Sequence, residues 1–587
     1  MSISSKFYEA VETILRADPR FVSDDDTIMR ERVREAANAL DPALISLLLA
    51  NEATRDRFFV EVDGVQVFDK REFGWVVSNR EFLPDSYTRF KNKIGLTDSR
   101  GEFISSSDDV VLAWPYKDCV LEGGQTKEDQ KRAEVFYNTT LAPDERDRLL
   151  APKVFTGAKR YRADGVEEGI EFRDDDNLII KGNNLLVISS LLKRFEGQVK
   201  CIYVDLPFNT GSDGFNYNDS FNHSTWLTFI KNRLELAKRL LSEDGSIFVH
   251  CDENENGYLR VLCDEVLGRE NLMNEIIWRY RTYVGNVKEY FPKKHDTIFW
   301  YKNKVRPAFN LIYEDNVEET VDFKRWQNYL VDGYKIQYGS HPTTDSRFTA
   351  YLKKFVKQYG TPADGDVIYE VRGYVVDDVW EDIIALDPKN LTERTKFTGG
   401  QKPEALLERI IQSVTTEGDL VLDFFLGSGT TCAVAHKLNR RYIGIEQMDY
   451  LEEITRDRLC NVLAGDSGGI SESVGWTGAG SFVYCELADL NSAYVKGVRD
   501  ATNDGQLEAL LASVLDTGFV SARLDPAKYD VAATEFTDLS FADKRQFITD
   551  LLDMNMLYVN YSDIDDEDYE ISRTDKAFTR SLYAKDA

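Results

Sequence analysis

The sequence lacks the features of a secreted, membrane-spanning or zinc-binding protein. No apolar run approaches the ~20 residues that a membrane helix needs. Residues 1–20 show no basic start followed by an apolar core, so we predict no signal peptide. The seven cysteines form no CxxC pair; they stand at positions 119, 201, 251, 263, 432, 460 and 485. This spacing favours reduced thiols over a zinc cluster, and the sequence therefore predicts a cytoplasmic protein with no metal and no membrane partner.

Positive charge is also scarce. The 587 residues include 72 lysines and arginines against 101 acidic residues, a net charge of -29, which argues against a simple nucleic-acid-binding protein. The charge is uneven, however: residues 466–587 contain 23 acidic and 10 basic residues, whereas residues 302–360 contain 10 basic and 7 acidic ones. Because phosphate contacts act within about a Debye length, ~10 Å, an acidic protein can still bind DNA through a locally basic groove.

The stretch 200–215 carries the first candidate chemistry. The apolar, β-prone run 201–204 predicts a buried strand, and Asp205 stands where that strand ends. Ligands of open α/β sheets bind beyond the carboxyl ends of strands. Here Asp205 and the carbonyl of Leu206 can accept hydrogen bonds from an exocyclic amine, Pro207 stiffens the loop, and Phe208 can stack on a flat base. The alternative interpretation is an ordinary loop after a strand.

Strands and helices alternate around this stretch. Residues 177–192 predict a strand, a turn at 182–184, and a helix capped by Asn183 or Asn184. Residues 224–241 predict an amphipathic helix with Ser224 as its N-cap and Gly245 in the following turn, and residues 246–250 predict the next strand. This alternation is typical of an α/β protein with a mostly parallel sheet and right-handed crossovers.

The second candidate site spans residues 419–450. A buried strand ends at Asp423, a glycine turn follows, Thr430 opens a helix, and the next strand ends at Glu446. The glycines allow close approach of a ligand, and an acidic residue after the following strand can hold two ribose hydroxyls. The dinucleotide fingerprint and the P-loop are excluded because the third glycine and the lysine are missing. We predict an adenosine-containing ligand without a triphosphate, bound by residues that include Asp423, Phe425, Gly427, Gly429, Thr430 and Glu446.

Residues 274–301 interleave aromatic and basic side chains. This composition suits phosphate contact and base stacking, and the candidate DNA-binding residues are Arg279, Arg281, Lys293, Lys294 and His295. The alternative is a strand pair with solvated charges. Residues 302–395 lack α/β periodicity and predict an inserted domain.

The order of these motifs resembles one enzyme family. DLPFNTG comes first, then the long insert, then KFTGGQKPEALLERII, and finally DFFLGSGTT. This order resembles the β-class of S-adenosylmethionine-dependent DNA amino-methyltransferases, and most closely the Mod subunits of type III restriction–modification systems. Further similar stretches are 178–186, 217–234, 293–303 and 556–572. The resemblance covers residues from about 175 to the end well and the first 150 loosely.

The resemblance implies a fold, a reaction and partners. The expected fold is the Rossmann-like methyltransferase fold, a mostly parallel twisted sheet with helices on both faces, carrying an inserted target-recognition domain and N- and C-terminal accessory domains. S-adenosylmethionine would lie over 425–429 with Lys402 and Pro403 near its methionine end, while Asp205, Leu206, Pro207 and Phe208 hold a flipped adenine. The expected partners are double-stranded DNA, a second copy in a homodimer, and a separate Res-type nuclease–helicase, in the cytoplasm of a bacterium or archaeon.

One residue departs from the family pattern. Leu206 replaces the first proline of the Asp-Pro-Pro-Tyr or Asp-Pro-Pro-Phe motif. Leucine supplies the same backbone carbonyl, but proline fixes φ near -65° and so holds the loop more rigidly. We therefore expect slow methylation and a faster Leu206→Pro variant. The alternative is a recognition module that has lost its chemistry and guides a partner. A cytosine amino-methyltransferase is disfavoured because Asp, not Ser, stands at 205.

The length favours several domains. We predict five parts: an accessory region 1–150, a first methyltransferase segment 151–302, a target-recognition domain 303–395, a second methyltransferase segment 396–465, and an acidic dimerisation or partner domain 466–587.

Overall fold

The computed structural model describes most of the chain beyond residue 147 and parts of the chain before it. The described ranges are 148–210, 223–280, 291–386, 393–397, 400–517, 539–552 and 556–584, with residues 520 and 536, parts of 11–73, and the short ranges 120–122 and 135–137. The chain divides into two compact units, Met1–Pro115 and Tyr116–Ala587. Within the described residues, no helix is long and apolar enough to cross a membrane.

The N-terminal unit contains a helix pair and a hairpin. Its elements are α1 (Pro42–Ala50), α2 (Glu52–Phe58), β1 (Phe59–Val62) and β2 (Val65–Phe68). The two strands pair antiparallel. α1 begins at Pro42 and is capped by Asp41, just after Leu40, whose φ of 52° is left-handed.

The second unit holds the remaining strands and helices. Its strands are β3 (Val120–Glu122), β4 (Val135–Tyr137), β5 (Phe155–Arg162), β6 (Gly165–Glu168), β7 (Leu178–Lys181), β8 (Val199–Asp205), β9 (Leu241–Cys251), β10 (Leu272–Arg279), β11 (His295–Lys302), β12 (Lys335–Gln337), β13 (Val367–Glu370), β14 (Val379–Trp380), β15 (Leu420–Asp423), β16 (Arg441–Glu446) and β17 (Ser481–Leu487). Its helices are α3 (Asn184–Phe195), α4 (His223–Leu240), α5 (Asn256–Cys263), α6 (Val321–Trp326), α7 (Ser346–Tyr359), α8 (Glu404–Val414), α9 (Thr430–Lys437), α10 (Arg456–Leu463), α11 (Asn491–Asp500), α12 (Asp504–Thr517), α13 (Phe541–Leu551) and α14 (Arg573–Tyr583).

One sheet of eleven strands organises this unit. Its order is β14-β10-β11-β9-β8-β15-β16-β7-β17-β5-β6. The six strands from β9 to β17 in this order are mutually parallel, and their helices cover both faces, which confirms the predicted α/β class. β7, β8, β15 and β16 are almost entirely buried, as expected for parallel strands covered on both sides.

The strand order places the two candidate sites side by side. From β8 the chain crosses through α4 to β9 on one side, and from β15 it crosses through α9 to β16 on the other. β8 and β15 are neighbours, so they form the topological switch point of the sheet. A crevice opens at such a point beyond the carboxyl ends of the strands. Asp205, Asp423 and Glu446 end β8, β15 and β16 at this edge.

Local helix and turn predictions met different outcomes. Asn183 caps α3 by accepting from the N–H of Leu185 at 3.1 Å, as predicted. Ser224 is not an N-cap, because α4 already begins at His223. Gly245 lies inside β9 and not in a turn; a Cβ there would meet the Val199 carbonyl at 2.8 Å, so the close approach of β8 requires glycine.

The predicted five-part division stays a prediction, and two regions outside the main sheet have clusters of their own. α6, α7, β12 and β13 enclose a cluster around Trp326 and Phe348, while β14 returns from this region to the main sheet. α11, α12 and α13 form another cluster, which buries apolar side chains of 507–514 and 548–552. β17 lies within the main sheet beside β7, and α14 packs on β5, where Thr579 bonds to the backbone of Phe155.

Candidate active site

The loop after β8 is fixed by its backbone. The N–H of Leu206 donates to the carbonyl of His250 at 3.3 Å, and the indole N–H of Trp226 donates to the carbonyl of Pro207 at 2.7 Å. Leu206 and Trp226 are buried. All four predicted catalytic residues, 205–208, line one cavity with the loop after β15. The structure thus brings together the two stretches that the sequence separates by about 200 residues.

A buried hydrogen-bond chain lies next to Asp205. His250 lies near the end of strand β9 and is fully buried. Its Nδ1 lies 2.7 Å from the Tyr203 hydroxyl, and its Nε2 lies 3.1 Å from Asp296 Oδ2. The hydroxyl of Tyr280 donates to Asp296 Oδ1 at 3.0 Å. Burial acts most strongly and raises the pKa of Asp296, but the hydrogen bond and charge of His250, the charge of Lys402 and the Tyr280 hydroxyl together hold that pKa below its ordinary value. These residues were missed from sequence, although His250 ends a predicted strand.

The two oxygens of Asp205 have different surroundings. Oδ2 accepts from Lys402 Nζ at 2.6 Å. Oδ1 is buried, without a hydrogen-bond partner among the described residues, and lies 3.9 Å from His250 Nδ1. The ammonium of Lys402 also lies 4.8 Å from the centroid of the Phe208 ring. Lys402 lines the cavity, and its ammonium forms an ion pair with Asp205 at the end of β8.

The loop between β15 and α9 depends on two glycines with positive φ. Gly427 has φ 52° and Gly429 has φ 82°. A Cβ on Gly429 would lie 2.7 Å from Cγ2 of Thr455, the residue before α10, so the close approach of Thr455 to this loop favours glycine. Gly427 borders the cavity, whereas Gly429 lies outside its lining. The predicted role of Gly429 in binding is therefore that of shaping the loop.

Asp423 also shapes this loop. Its Oδ1 accepts from the N–H of Phe425 at 2.9 Å, and its Oδ2 accepts from the hydroxyl of Thr431 at 2.6 Å. Burial raises the pKa of Asp423 to about 7, and the nearby charges of Asp205 and Glu446 act in the same direction. Its carboxyl is thus held mainly by its own loop.

Glu446 is the best-anchored carboxylate of the site. Its Oε2 accepts from the N–H of Gly427 at 3.0 Å and from the hydroxyl of Tyr450 at 2.8 Å. Its Oε1 accepts from the N–H groups of Gln447 and Met448 at 2.8 and 3.2 Å. Burial raises the pKa of Glu446 despite these four donors. The carboxylate is therefore fixed in one orientation at the cavity wall.

The segment before α8 is tied to the same loop. The hydroxyl of Thr430 donates to the carbonyl of Lys402 at 3.1 Å and accepts from Arg458 Nη1 at 2.7 Å. Pro403 is buried at the N-cap position of α8 and does not border the cavity, and its place near the methionine end of the cofactor stays a prediction. Glu404, the next residue, is buried between Lys437 and Arg458, with both ion pairs at 2.9 Å.

The candidate DNA-binding residues lie at the same edge of the sheet. Arg279 ends β10 directly opposite His295, which begins β11, and β11 pairs with β9. Arg279 forms an ion pair with Glu381, and Lys293 pairs with Glu253 at 2.5 Å. Lys294 is half-buried. Arg281 lies outside the described residues. The structure shows the strand pair of the alternative interpretation, and the DNA contact stays a prediction.

The Leu206 N–H changes what we expect of a proline at that position. Leu206→Pro would stiffen the loop but would remove the bond to the His250 carbonyl, a net contribution of about 1 kcal/mol. Leu206→Ala loses the same buried leucine side chain, so we expect the free energy of unfolding of Leu206→Pro to lie about that amount below that of Leu206→Ala, and methylation to change less than about tenfold, ~1.4 kcal/mol of barrier. Chemical denaturation and tritiated methyl transfer measure the two effects, with Leu206→Ala as the control that keeps the N–H. A rate gain well beyond tenfold would show that loop rigidity was limiting.

Comparison with known proteins agrees with this geometry. The family described as DNA methylase matches residues 199–457, and the family described as type III restriction/modification enzyme methylation subunit matches residues 41–96. The "Probable type III restriction-modification enzyme HindVI Mod subunit" of Haemophilus influenzae is 33% identical, over 98% of this chain and 98% of its own length. The chain belongs to the type III Mod subunit family.

Other Mod subunits are more distant relatives. The EcoP15I Mod subunit of Escherichia coli is 28% identical over 49% of this chain and 60% of its own length. Among solved structures, the M1.HpyAVI–SAM complex is 19% identical and covers 48% of this chain and 98% of that chain, with a TM-score of 0.30. The family membership confirms the resemblance drawn from the motif order.

Proposed function

We propose that this Mod subunit, a DNA methyltransferase of a type III restriction–modification system, transfers the methyl group of S-adenosylmethionine to the exocyclic amine of adenine at a specific DNA sequence. One observation carries the proposal: Asp205 and Glu446 line the same cavity at the switch point of the sheet. The first is suited to an amine, and the second to a ribose.

The cavity has the features that S-adenosylmethionine requires. Glu446 offers a fixed carboxylate for ribose hydroxyls, and the Tyr450 hydroxyl now occupies one of its acceptor positions. The rings of Phe397 and Phe425 line the walls, and Gly427 leaves room for close approach. The bound cofactor would supply an activated methyl group. The chain would supply binding, orientation and exclusion of water.

The target base would be held by the loop after β8. Asp205 and the Leu206 carbonyl are the proposed acceptors of the amine, which leaves its lone pair directed toward the methyl group. Phe208 would stack on the flipped base. An aspartate in place of a serine at 205 favours adenine over cytosine. The recognition-module alternative loses its support here, because Leu206 keeps its carbonyl and the side chains of the site are assembled.

The remaining partners are also proposals. Arg279, Lys293 and His295 lie at the edge of the sheet where Asp205 ends β8, so this edge is suited to face the duplex. Exposed ion pairs contribute only about 0–1 kcal/mol, and phosphates can take the place of Glu381 and Glu253. Residues 303–395 would read the sequence. Family membership supports a homodimer and a Res-type partner.

Methylation in a host tests the proposal. The chain is expressed in cells that lack adenine methylation, and their DNA is sequenced for N6-methyladenine. We expect modified adenines in one short sequence context, with Asp205→Ala as the matched control that yields none. Unmodified DNA with folded, cofactor-binding protein would contradict the proposal, and methylcytosine would reassign its base.

A further inference from the structure

Lys402 holds the one oxygen of Asp205 that a ligand can reach. Oδ2 accepts from its ammonium at 2.6 Å, while Oδ1 is shielded from solvent. The Asp205 side chain is 24% exposed, so the accessible part of its carboxylate is the part that Lys402 covers. Any donor that approaches Asp205 from the cavity must compete with this ammonium.

The same ammonium occupies the ring face that a base would use. It lies 4.8 Å from the centroid of Phe208, where a cation is attracted to the aromatic face. A hydrogen bond to Asp205 combined with a place over Phe208 is the pair of contacts proposed for the target amine. The Lys402 side chain is 11% exposed, and its further contact is the Gly400 carbonyl at 3.4 Å.

We propose that the ammonium of Lys402 occupies the place of the target amine on Asp205. Lys402 must therefore leave this carboxylate when the base enters. The inference rests on the proposed function and adds a step to it. An unpaired, partly buried carboxylate is costly, and Lys402 pairs with it when no base is bound. When the amine takes Oδ2, the ammonium loses its anion, so the exchange contributes little to affinity. The methionine carboxylate of S-adenosylmethionine, held in the same cavity, would give Lys402 a new partner. Recognition of the amine is therefore coupled to the cofactor.

Binding measurements without methylation test this exchange. The recognition duplex is selected by binding from a random pool and is prepared with adenine or with purine, which lacks the amine, at the target position. Dissociation constants come from fluorescence anisotropy without cofactor. We expect the natural protein to bind adenine no more than about twofold tighter than purine. Lys402→Met should bind adenine about tenfold tighter than purine or more, because a hydrogen bond to an unpaired carboxylate is charge-assisted and strong. S-adenosylhomocysteine, which carries the same carboxylate, should raise the natural protein's ratio.

Two variants serve as controls. Lys402→Arg keeps a donor on Asp205 and should keep the natural ratio. Lys396→Met removes an exposed lysine from the same connecting segment and should leave the ratio unchanged. A tenfold adenine preference in the natural protein without cofactor overturns the proposal even if no variant folds, and so does an equal ratio in the natural and Lys402→Met proteins. Failure of the proposed function would appear differently, as absence of cofactor binding and of methyladenine.

Discussion

Asp205→Ala is expected to reduce methyl transfer by about 10²–10³-fold or more, the usual cost of removing one preorganised polar group from a reacting centre. Asp205 is the only acidic side chain among residues 205–208, and its buried Oδ1 lies 3.9 Å from His250 Nδ1. Without it, the target amine would lose its acceptor, and Lys402 would lose its ion-pair partner. The assay is tritiated methyl transfer to the recognition duplex at saturating cofactor and DNA.

Asp205→Asn separates shape from charge in the same assay. The amide keeps the side-chain volume and one acceptor oxygen, so its rate should lie between those of the alanine variant and the natural protein. Calorimetry should show that both variants bind the cofactor as tightly as the natural protein or a few-fold tighter, because Glu446 on β16 is unchanged and Lys402 is held less strongly by residue 205. Full activity of the alanine variant would remove Asp205 from the mechanism.

Glu446→Ala is expected to weaken S-adenosylmethionine binding by about 10- to 100-fold, since hydrogen bonds to a charged group are worth about 1.5–3 kcal/mol. The loss has two sources. The ribose hydroxyls lose their acceptor, and the N–H groups of Gly427, Gln447 and Met448 lose theirs. Isothermal calorimetry measures the dissociation constant, and thermal unfolding without cofactor isolates the second source.

Tyr450→Phe is the matched control for this prediction. It removes the hydroxyl that donates to Glu446 Oε2 and leaves the carboxylate and its backbone donors in place. If a ribose hydroxyl takes that position, the variant should bind the cofactor as well as the natural protein or a few-fold better. A loss as large as that of Glu446→Ala would mean that Tyr450 itself binds the cofactor and that Glu446 does not hold the ribose.

Local pattern was enough to find both halves of the site. A short apolar run followed by an acidic residue marks a buried strand and its end, and this pattern gave Asp205, Asp423 and Glu446. The glycine turn between Asp423 and Thr430 followed from the same logic. The family resemblance implied that the two stretches act on one reaction, and the sheet order places these residues at one edge.

Residues that act through long-range contacts were beyond local pattern. His250, Asp296 and Tyr280 come from strands that only the sheet order brings behind Asp205. For the basic and aromatic run 274–301 the sequence left a DNA surface and a strand pair both open, and its described residues contribute β10 and the start of β11, with Trp278 buried. Hydrophobic pattern alone does not distinguish a buried aromatic side chain from an accessible one that can stack on a base.

By itself, the sequence determined the α/β class, the order of the motifs and the chemical character of each strand end, because these depend on short-range periodicity and on residue type. Only the tertiary structure decided which side chains meet. Lys402 and Asp205 are separated by 197 positions. Their ion pair forms because β8 lies next to β15, and because the Lys402 carbonyl, just before α8, accepts from the hydroxyl of Thr430 after β15. Pairings of that kind depend on strand order and packing, which no local stretch of the chain encodes.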